Sequence, residues 1–499
     1  NSLDGPYGAD TLENRMRFSL EVLSAIRKRT GPEFIVGVRG TVDEMQKGGI
    51  TADEGIEIAT HLRDSGMIDF LNVNRGRIHT DPAMTEMIPV AGMPSAPHLD
   101  IAGDIRRATG MPTFHASRIQ DVATARHAIA AGHLDMVGMT RAHMADPHIV
   151  RKIQQGREET IRPCTGANYC LDRIYQGGMA LCIHNAATGR EQTMPHDISR
   201  AEISRRVVIV GAGPAGLEAA RVAALRGHDV TVLEAADAAG GQIRLTARTP
   251  RRKELMGIID WRMAQCEQLN VVFHFNMLAE ANDILALSPE LVIIATGGVA
   301  HDQLYETQEH QHHLVTSWDI LSGDVVPSGD VLIYDEAGDH AGLQAAEVAL
   351  QAGARVEIMT PDRTFAPEVM AMNLVPYMKT LQHDNVTFTV TKRLMGVERA
   401  GNRLCAVIGT DYSDRITHSE YDQIVLNYGT LPLCDVYFDL REYASNGGAV
   451  DQQALIDGKP QRIRRNPNGK FQLFRIGDAV SARNTHAAIY DALRLMKDT

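Results

Sequence analysis

A glycine-rich turn near the middle of the chain has the spacing of a dinucleotide-binding site. Gly211, Gly213 and Gly216 form G-x-G-x-x-G between an apolar run over 206–210 and a helical pattern, and Glu234 ends the next apolar run. The first glycine permits a tight turn, the second lets the backbone approach a pyrophosphate, and the third lets helix and strand pack closely. The helix N-terminus attracts phosphate, while Glu234 can accept a hydrogen bond from a ribose hydroxyl. A tight turn without a ligand is the alternative, and the strand–turn–helix context favours the nucleotide.

A second turn of the same kind lacks the residues that a diphosphate needs. It follows an apolar run over 330–334 and reads D-E-A-G-D-H-A-G over 335–342. Asp335 takes the place of the first glycine, and Glu336 and Asp339 flank the turn. Carboxylates repel a diphosphate electrostatically. We therefore expect this unit to keep its fold without binding NAD(P)H.

Half of the cysteines are clustered in the sequence. Six cysteines in 499 residues are too few for a disulfide scaffold, and without a signal-peptide pattern the chain is expected in a reducing cytoplasm. In that compartment a local cluster indicates a metal or redox site, and scattered cysteines are read as small apolar residues. The clustered residues are Cys164, Cys170 and Cys182, and the scattered ones are Cys266, Cys405 and Cys434.

The elements that would position these residues alternate between strands and helices. Short apolar runs over 34–38, 69–73, 112–115 and 135–139 are separated by helical patterns over 52–65, 99–109 and 123–131. Near-continuous apolar strands joined by helices predict a parallel sheet that is covered on both faces. Four such units cannot close an eight-stranded barrel, so they predict either an open sheet or the second half of a barrel.

Composition excludes several classes of protein. A chain with 44% hydrophobic and 22% charged residues is neither disordered nor collagen-like nor a coiled coil, and its length predicts two to four domains. The net charge of −12 argues against nucleic acid or an anionic membrane as the main partner. No apolar run approaches the roughly 20 residues that span a bilayer, so no membrane insertion is expected.

Three further motifs identify the type of nucleotide domain. Gly241-Gln242, Thr296-Gly297 and Gly477-Asp478 lie in segments that resemble the FAD-binding domain of the two-dinucleotide flavoprotein disulfide-reductase-like superfamily. In that superfamily the Gly-Asp pair lies near the flavin ribityl and pyrophosphate, and a nested domain interrupts the FAD domain. The resemblance implies FAD, or only ADP, at the Gly211 turn.

The whole chain resembles a single family of fused flavoproteins. The segment R-P-C-T-G-A-N-Y-C over 162–170, the later C-I-H-N-A over 182–186, and the opening D-G-P-Y-G over 4–8 with E-N-R-M-R-F over 13–18 carry the resemblance. They resemble the trimethylamine dehydrogenase and 2,4-dienoyl-CoA reductase family, which joins an Old Yellow Enzyme-type FMN barrel to two nucleotide domains. The implied α/β fold is the C-terminal half of a (β/α)8 FMN barrel, followed by a Rossmann-like FAD-binding domain with a nested NAD(P)H-domain-like insertion.

This resemblance sets the expected domain boundaries. The chain opens on Asn1 inside a family signature, so we expect about 180 preceding residues with the first half of the barrel. Within the chain we predict the half-barrel over 1–160, a cysteine segment over 161–191, a linker over 192–204, an FAD (or ADP) domain over 205–327 and 421–499, and a nested domain over 328–420.

The cysteine segment departs from the family at one position. The family pattern has three cysteines spaced by two residues and a fourth about a dozen later, whereas the middle position here is Ala167. A [4Fe–4S] cluster normally has four thiolate ligands. Cys164, Cys170 and Cys182 are expected to hold a [4Fe–4S] cluster with one non-cysteine ligand. A three-iron cluster and a cluster-free loop are the alternatives.

By the same resemblance, the carboxyl ends of the barrel strands hold FMN. Arg39 is expected at the flavin ring, where a cation stabilises the anionic reduced form. Backbone N–H groups and guanidinium charge in the next loops are expected to cradle the FMN phosphate. Those loops contain Ser117 and Arg118, then Gly138, Thr140 and Arg141. Solvated ion pairs are the alternative for any single arginine.

The loop over 74–79 is expected to face the substrate. Trimethylamine dehydrogenase encloses its cationic substrate in aromatic rings, but Trp261 and Trp318 lie outside the barrel segment here. Arg75 and Arg77 could instead bind a substrate carboxylate, or they could be surface arginines. The main catalytic residues are expected in the absent N-terminal half.

These features favour a flavin-dependent oxidative N-demethylase or amine dehydrogenase. The expected substrate is a small N-methylated amino acid such as dimethylglycine or an N-methylproline, with formaldehyde as a product. Electrons would leave through the iron–sulfur cluster to an electron-transfer flavoprotein, and the resemblance implies a homo-oligomer. The alternatives are an NAD(P)H-dependent enoate or 2,4-dienoyl-CoA reductase, and an electron-transfer or scaffold fragment.

Overall fold

The chain divides into two compact units, Asn1–Gly166 and Ala167–Thr499. The computed structural model describes residues 5–303 and 314–499, so Asp4 of the opening motif lies outside the described residues. Across these two ranges, no helix is long and apolar enough to cross a membrane.

The first unit is built on a parallel sheet of four strands whose spatial order is their order in the chain. On one face of this sheet Leu71, Val73 and His115 are buried. Because all four strands are parallel, their carboxyl ends share one edge. The strands are β1, Gly37–Thr41; β2, Phe70–Asn74; β3, Thr113–His115; and β4, Met136–Val137.

Amphipathic helices separate these strands and cover the buried face. Four of the helices begin after a side chain that accepts a backbone N–H of the first turn, namely Thr11, Thr51, Thr80 and Asp121. The helices are α1, Leu12–Thr30; α2, Ala52–Asp64; α3, Asp81–Met87; α4, Leu99–Thr109; α5, Val122–Ala130; α6, Thr140–Ala145; and α7, Ile149–Gln154, followed by a 3-10 helix, Glu158–Thr160.

The first strand begins later than the apolar run predicted. Phe34 and Ile35 are 58% and 71% exposed, and pairing with β2 begins at Gly37 opposite Phe70. Hydrophobicity alone marked 34–38 as the strand, but hydrogen bonding to the neighbouring strand decides where a strand begins. Arg39 therefore lies in the middle of β1 and not at its end.

The second unit contains the remaining strands. They are β5, Arg206–Val210; β6, Asp229–Leu233; β7, Val272–His274; β8, Leu291–Ile294; β9, Gly298–Ala300; β10, Val315–Thr316; β11, Asp330–Asp335; β12, Arg355–Met359; β13, Val386–Thr389; β14, Arg393–Ala400; β15, Arg403–Thr410; β16, Ser413–Tyr421; β17, Gln423–Asn427; β18, Thr430–Pro432; and β19, Gln472–Arg475.

Two parallel five-stranded sheets organise this unit. The nucleotide sheet has the order β19-β8-β5-β6-β7, and the sheet of the nested domain has the order β10-β17-β11-β12-β13. Strands β14 to β16 form an antiparallel sheet, and β9 pairs with β18. The nested sheet includes strands at 315–316 and 423–427, which extends it beyond the range 328–420. The mixed α/β class with parallel sheets is confirmed.

Helices pack against these sheets, and β8, an inner strand of the nucleotide sheet, is fully buried. They are α8, Tyr169–Tyr175; α9, Pro214–Leu225; α10, Gln242–Thr246; α11, Gly257–Gln268; α12, Ala281–Ala286; α13, Ser317–Ser322; α14, His340–Gln351; α15, Ala371–Leu381; α16, Asp435–Leu440; α17, Gln452–Ile456; and α18, Thr485–Met496, with 3-10 turns at Pro250–Met256, Arg441–Tyr443 and Gly477–Ala479.

Candidate functional site

A cavity of about 1360 Å³ lies in the second unit, where the strands β5, β6 and β8 end. An α/β sheet of this kind binds its ligand outside the carboxyl ends of the strands. The cavity brings together most of the sequence-predicted nucleotide residues, which are Gly211, Gly213, Glu234, Gly241, Gln242, Thr296, Gly297 and Asp478.

The three fingerprint glycines have different surroundings. Gly211 has φ 102°, and a Cβ there would overlap the carbonyl oxygen of Ala295. A Cβ at Gly216 would overlap the carbonyl oxygen of Gly211, so this glycine permits close packing of helix α9 on the turn. A Cβ at Gly213 would meet no atom within 4 Å, although this residue lines the cavity. The turn therefore leaves room for a pyrophosphate at Gly213.

The backbone of the turn holds the Glu234 carboxylate in place. Its two oxygens accept the N–H groups of Ala212 at 2.5 Å and Ala236 at 2.8 Å. Because an ionised carboxylate accepts several hydrogen bonds, a ribose hydroxyl can be a further donor, whereas a 2′-phosphate is repelled. This arrangement favours a nucleotide with an unmodified ribose.

The Gly-Asp motif closes the other side of the cavity. Asp478 accepts hydrogen bonds from Gln242 Nε2 at 3.1 Å and from the N–H of Arg483 at 3.1 Å. Burial raises the pKa of the Asp478 carboxyl. Gly477 has φ 62°, and a Cβ there would lie 3.0 Å from the Cβ of Ala215 at the start of α9. The residues present fit an adenine dinucleotide or its ADP part.

The corresponding turn of the nested domain is filled by its own side chain. Asp335 is 2% exposed, and its Oδ1 accepts the N–H of Gly338 at 2.9 Å and Nδ2 of Asn427 at 2.8 Å. A Cβ at Gly342 would lie 2.8 Å from the Asp335 carboxyl carbon. Burial raises the pKa of Asp335 to about 7. Because its negative charge is then weaker, the volume that its side chain fills obstructs a phosphate as much as its charge does.

The other two acids of this turn have different partners. Asp339 caps helix α14, since its Oδ1 accepts the N–H of Ala341 at 2.9 Å, and it also accepts Nδ2 of Asn427 at 3.0 Å. Glu336 pairs instead with Arg393, whose Nη1 lies 3.1 Å from its Oε1. Two carboxyl groups therefore occupy the turn, and the third belongs to a separate ion pair. The residues here do not fit a diphosphate.

In the first unit, the predicted phosphate residues follow the carboxyl ends of β3 and β4, whereas Arg39 lies within β1. Arg39 is exposed on β1, in register with Asn72 and, through it, with Phe114. Ser117 and Arg118 follow β3, while Gly138 and Arg141 follow β4 and Thr140 begins helix α6. Loops with backbone N–H groups and guanidinium charge at the carboxyl ends of two strands fit a flavin phosphate, and an exposed cation on the same sheet fits the flavin ring.

The same loops also hold a neighbouring segment. Ser117 Oγ donates to the carbonyl of Met87 at 3.4 Å, Arg118 Nε to that of Met93 at 2.8 Å, and Arg141 Nη1 to that of Pro89 at 2.9 Å. The predicted phosphate residues thus also fasten segment 87–93, a role that the sequence did not indicate.

Both candidate substrate arginines have partners from the segment that follows β1. Arg75 Nε lies 2.9 Å from Asp43 Oδ2, and Arg77 Nη1 donates to Gln46 Oε1 at 2.5 Å, with its Nε 4.0 Å from Glu44 Oε1. The two arginine side chains are 31% and 34% exposed. The structure brings the pair together on one loop, and a substrate carboxylate would have to compete with these partners.

Two buried histidines near these arginines were missed by sequence reasoning. His98 and His115 are 5% and 1% exposed, with ring centroids 6.3 Å apart. His115 Nδ1 lies 2.9 Å from the carbonyl of Val73, and His98 Nε2 lies 2.9 Å from that of Glu86. Burial lowers the pKa of both rings, and the charges of Arg75 on His98 and Arg39 on His115 lower it further. The position of His115 at a strand end was the one visible signal.

The cysteine segment crosses the boundary between the two units. Cys164 belongs to the first unit, Cys170 lies in α8, and Cys182 lies in a later loop of the second unit. Ala167, at the position of the family's missing cysteine, is 7% exposed and belongs to an apolar core. Among residues 5–303 and 314–499, no group of three or more His, Cys, Asp or Glu side chains is arranged to hold a metal ion.

Comparison with known proteins identifies both halves of the chain. Residues 3–160 match the NADH:flavin oxidoreductase / NADH oxidase family, and residues 205–491 match the pyridine nucleotide-disulphide oxidoreductase family. The chain is 63% identical over its whole length to "Probable N-methylproline demethylase" of Rhizobium meliloti, of which it covers 73%. It is 40% identical, also over its whole length, to N,N-dimethylglycine/sarcosine dehydrogenase of Chromohalobacter salexigens, of which it again covers 73%.

A solved structure supports the fold. The chain superposes over its whole length on 70% of 2-naphthoyl-CoA reductase bound to 2-naphthoyl-CoA, with a TM-score of 0.83 and 26% identity. The predicted order of a flavin-barrel region followed by a Rossmann-like region is therefore confirmed.

Alanine substitutions at two fingerprint glycines should separate nucleotide binding from folding, since one should impair binding and the other stability. Gly213→Ala should leave thermal unfolding of the nucleotide-free protein unchanged, because its φ of −72° suits alanine and the new methyl meets no atom. It should lower the content of bound adenine nucleotide at least about tenfold, since the methyl enters the cavity. Gly216→Ala should instead destabilise the fold by about 1–3 kcal/mol through overpacking.

The two variants are compared by thermal unfolding and by the nucleotide released on denaturation. If Gly213→Ala retained as much nucleotide as the native protein, the pyrophosphate would not lie at this turn.

Proposed function

The chain belongs to the NADH:flavin oxidoreductase / NADH oxidase family, here fused to a pyridine nucleotide-disulphide oxidoreductase domain, and on that premise we propose that it is a flavin-dependent oxidative N-demethylase. Its substrate is a small N-methylated amino acid of the dimethylglycine or N-methylproline type. The relatives named for reactions of N-methylproline and of dimethylglycine, at 63% and 40% identity, support this substrate class.

The closed turn of the nested domain carries the proposal. Asp335 fills the space of the first fingerprint glycine, and its bond to the Gly338 N–H uses a donor that a phosphate would need. Reduction of a flavin by NAD(P)H requires a nucleotide site, so this turn favours the organic substrate as the source of electrons. This distinguishes an amine dehydrogenase from an NAD(P)H-dependent reductase.

The reaction removes a methyl group as formaldehyde. The carbon of the N–CH₃ group loses a hydride equivalent, and the resulting iminium takes up water and releases formaldehyde and the demethylated amine. When bound, FMN supplies the two-electron acceptor for this step. Arg39 and the loops with Ser117, Arg118, Gly138, Thr140 and Arg141 are the residues that we propose to hold it.

Recognition of the substrate carboxylate is assigned to Arg75 and Arg77. A guanidinium binds a carboxylate through two parallel hydrogen bonds, a geometry that lysine cannot match. Asp43 and Glu44 hold the two guanidinium groups in place and limit their rotation before substrate arrives. His98 and His115 support the surrounding loops through their contacts with the backbone carbonyls of Glu86 and Val73.

The second unit is proposed to bind an adenine nucleotide, as FAD or ADP, in the cavity next to Gly213. Cys164, Cys170 and Cys182 are proposed to hold an iron–sulfur cluster of the [4Fe–4S] type with one ligand other than cysteine. An electron-transfer flavoprotein is the proposed acceptor of the electrons.

A second candidate function is reduction of an enoate or an enoyl thioester. The observation that favours it is the full-length structural similarity to 2-naphthoyl-CoA reductase at 26% identity. It requires a working nicotinamide site or another reductant.

Anaerobic reduction of the flavin-loaded protein separates the two functions. N-methylproline or dimethylglycine should bleach the flavin and yield one formaldehyde per flavin reduced, whereas NADPH and NADH should bleach it slowly or not at all. Rapid bleaching by NADPH together with no formaldehyde from either amine would reject the demethylase.

Replacement of Arg75 by alanine should raise the substrate KM about tenfold or more with a smaller change in kcat, because a charge-assisted bond to the carboxylate is lost. Arg75→Lys should recover only part of this loss. Arg107→Ala, in an exposed ion pair on α4, is the matched control and should leave KM unchanged. An unchanged KM in Arg75→Ala would rule out the carboxylate-binding role.

Iron and acid-labile sulfide should be present in protein purified without oxygen. Cys170→Ser and Cys182→Ser should each lose most of both, because a cluster depends on thiolate ligands. Cys405→Ser, in β15, is the control and should retain the native content. Native protein that contained no iron would remove the cluster from the proposal.

A further inference from the structure

We propose that the nested domain anchors the cysteine segment, with Asn373 as the positioning residue. The proposal concerns the part of the cysteine segment that lies in the second unit, residues 167–185. This role goes beyond the proposed reaction and does not depend on which substrate the flavin oxidises. It assigns a function to a domain whose nucleotide turn is closed.

Asn373 joins the two regions through a single buried amide. It lies near the start of α15 in the nested domain and is 6% exposed. Its Nδ2 donates to the carbonyl of Ala167 at 2.9 Å and to Oδ2 of Asp172 at 3.0 Å. An amide NH₂ has two donor hydrogens, so both are used. Loss of the amide would leave two buried acceptors without this donor, which is costly in a dry interior.

A buried arginine lies within electrostatic reach of both regions. Arg252 is 8% exposed, and its positive charge acts on Asp172 of the cysteine segment and on Asp339 of the nested turn. Its Nη1 lies 3.0 Å from Nδ1 of His340, the first residue of α14. The charges of Asp172 and Asp339 both raise the pKa of this buried guanidinium, so acids of both regions act on it electrostatically.

The other end of the segment is held by the nucleotide-binding region. His486 Nδ1 lies 2.8 Å from the carbonyl of Cys182, and Arg262 Nη2 donates to the carbonyl of His184 at 2.9 Å. Arg262 is fully buried and also pairs with Glu218 at 2.9 Å. The nucleotide-binding region also reaches the start of α8, where the ring of Tyr169 stacks on His486 with centroids 5.0 Å apart. The nested domain adds the buried hydrogen bonds of Asn373 to Ala167 and Asp172, which the nucleotide-binding region does not supply.

A double-mutant cycle between Asn373 and Asp172 tests this assignment. Asn373→Asp keeps the shape of the side chain but replaces its donor by an acceptor. The new carboxyl oxygen then faces two other acceptors, the Ala167 carbonyl and the Asp172 carboxyl group. Asp172→Asn combined with Asn373→Asp restores an amide–carboxylate pair with the roles exchanged. Asn385→Asp, at an exposed site of the nested domain, is the matched control. Hydrogen–deuterium exchange of the full chain is measured for α8 and for strand β11.

Exchange in α8 should rise about tenfold or more in Asn373→Asp, the change expected when a buried hydrogen bond is lost, while β11 stays protected. In the double variant, at least half of the increase in the logarithm of the α8 exchange rate should be reversed. Asn385→Asp should exchange at the native rate. Unchanged exchange in α8, an equal rise in β11, or no recovery in the double variant would each overturn the proposal. Asn373→Ser, which keeps one donor, is measured in parallel in case Asn373→Asp does not fold. Because no flavin reduction is involved, this outcome is independent of the demethylase test.

Discussion

Backbone N–H groups at the start of a helix that follows a parallel strand must find acceptors, and this requirement shapes both nucleotide-type turns of the second unit. At the Gly211 turn, Gly213 leaves open space beside the start of α9, and the Glu234 carboxylate accepts the N–H of Ala212. At the Asp335 turn, the chain supplies its own carboxyl groups to the Gly338 and Ala341 N–H groups. Two copies of one local architecture therefore have opposite chemistry, one open to a ligand and one closed.

The carboxyl groups that fill the second turn also have partners outside it. Asp339 caps α14, shares Asn427 with Asp335 and contributes to the charge around Arg252. The charge of Arg252 also acts on Asp172, whose hydrogen bond with Asn373 joins the cysteine segment to the nested domain. Such a contact gives the nested domain a structural role that is independent of nucleotide binding, because each buried polar group needs its partner.

The first unit depends on a different constraint, the convergence of parallel strand ends. Since all carboxyl ends lie at one edge, the loops after β1 and β2 meet, and Asp43 pairs with Arg75. Ordered cations at such an edge suit an anionic ligand better than mobile surface arginines would, because less side-chain freedom is lost on binding. The loops after β3 and β4 also hold segment 87–93, so the residues proposed for the flavin phosphate have a structural role as well.

The sequence by itself determined what depends on local spacing. Helix α4 begins and ends at the predicted Leu99 and Thr109, because apolar periodicity and Gly110 mark it within one stretch of chain. The fingerprint glycines, the acid Glu234 and the unsuitable second turn were likewise readable, because a strand, a turn and a helix are neighbours in sequence. The resemblance to a flavoprotein family rested on such short motifs and was confirmed.

Only the tertiary structure decided which distant groups meet. Asn373 and Asp172 are 201 positions apart, and no local pattern links them. The start of β1 at Gly37 depended on pairing with Phe70, not on the apolar run before it. Likewise, the arginines Arg75 and Arg77 were visible in the sequence, but their partners Asp43 and Glu44 were not. Spacing determines local geometry, whereas packing brings together residues whose separation along the chain carries no information about their distance in space.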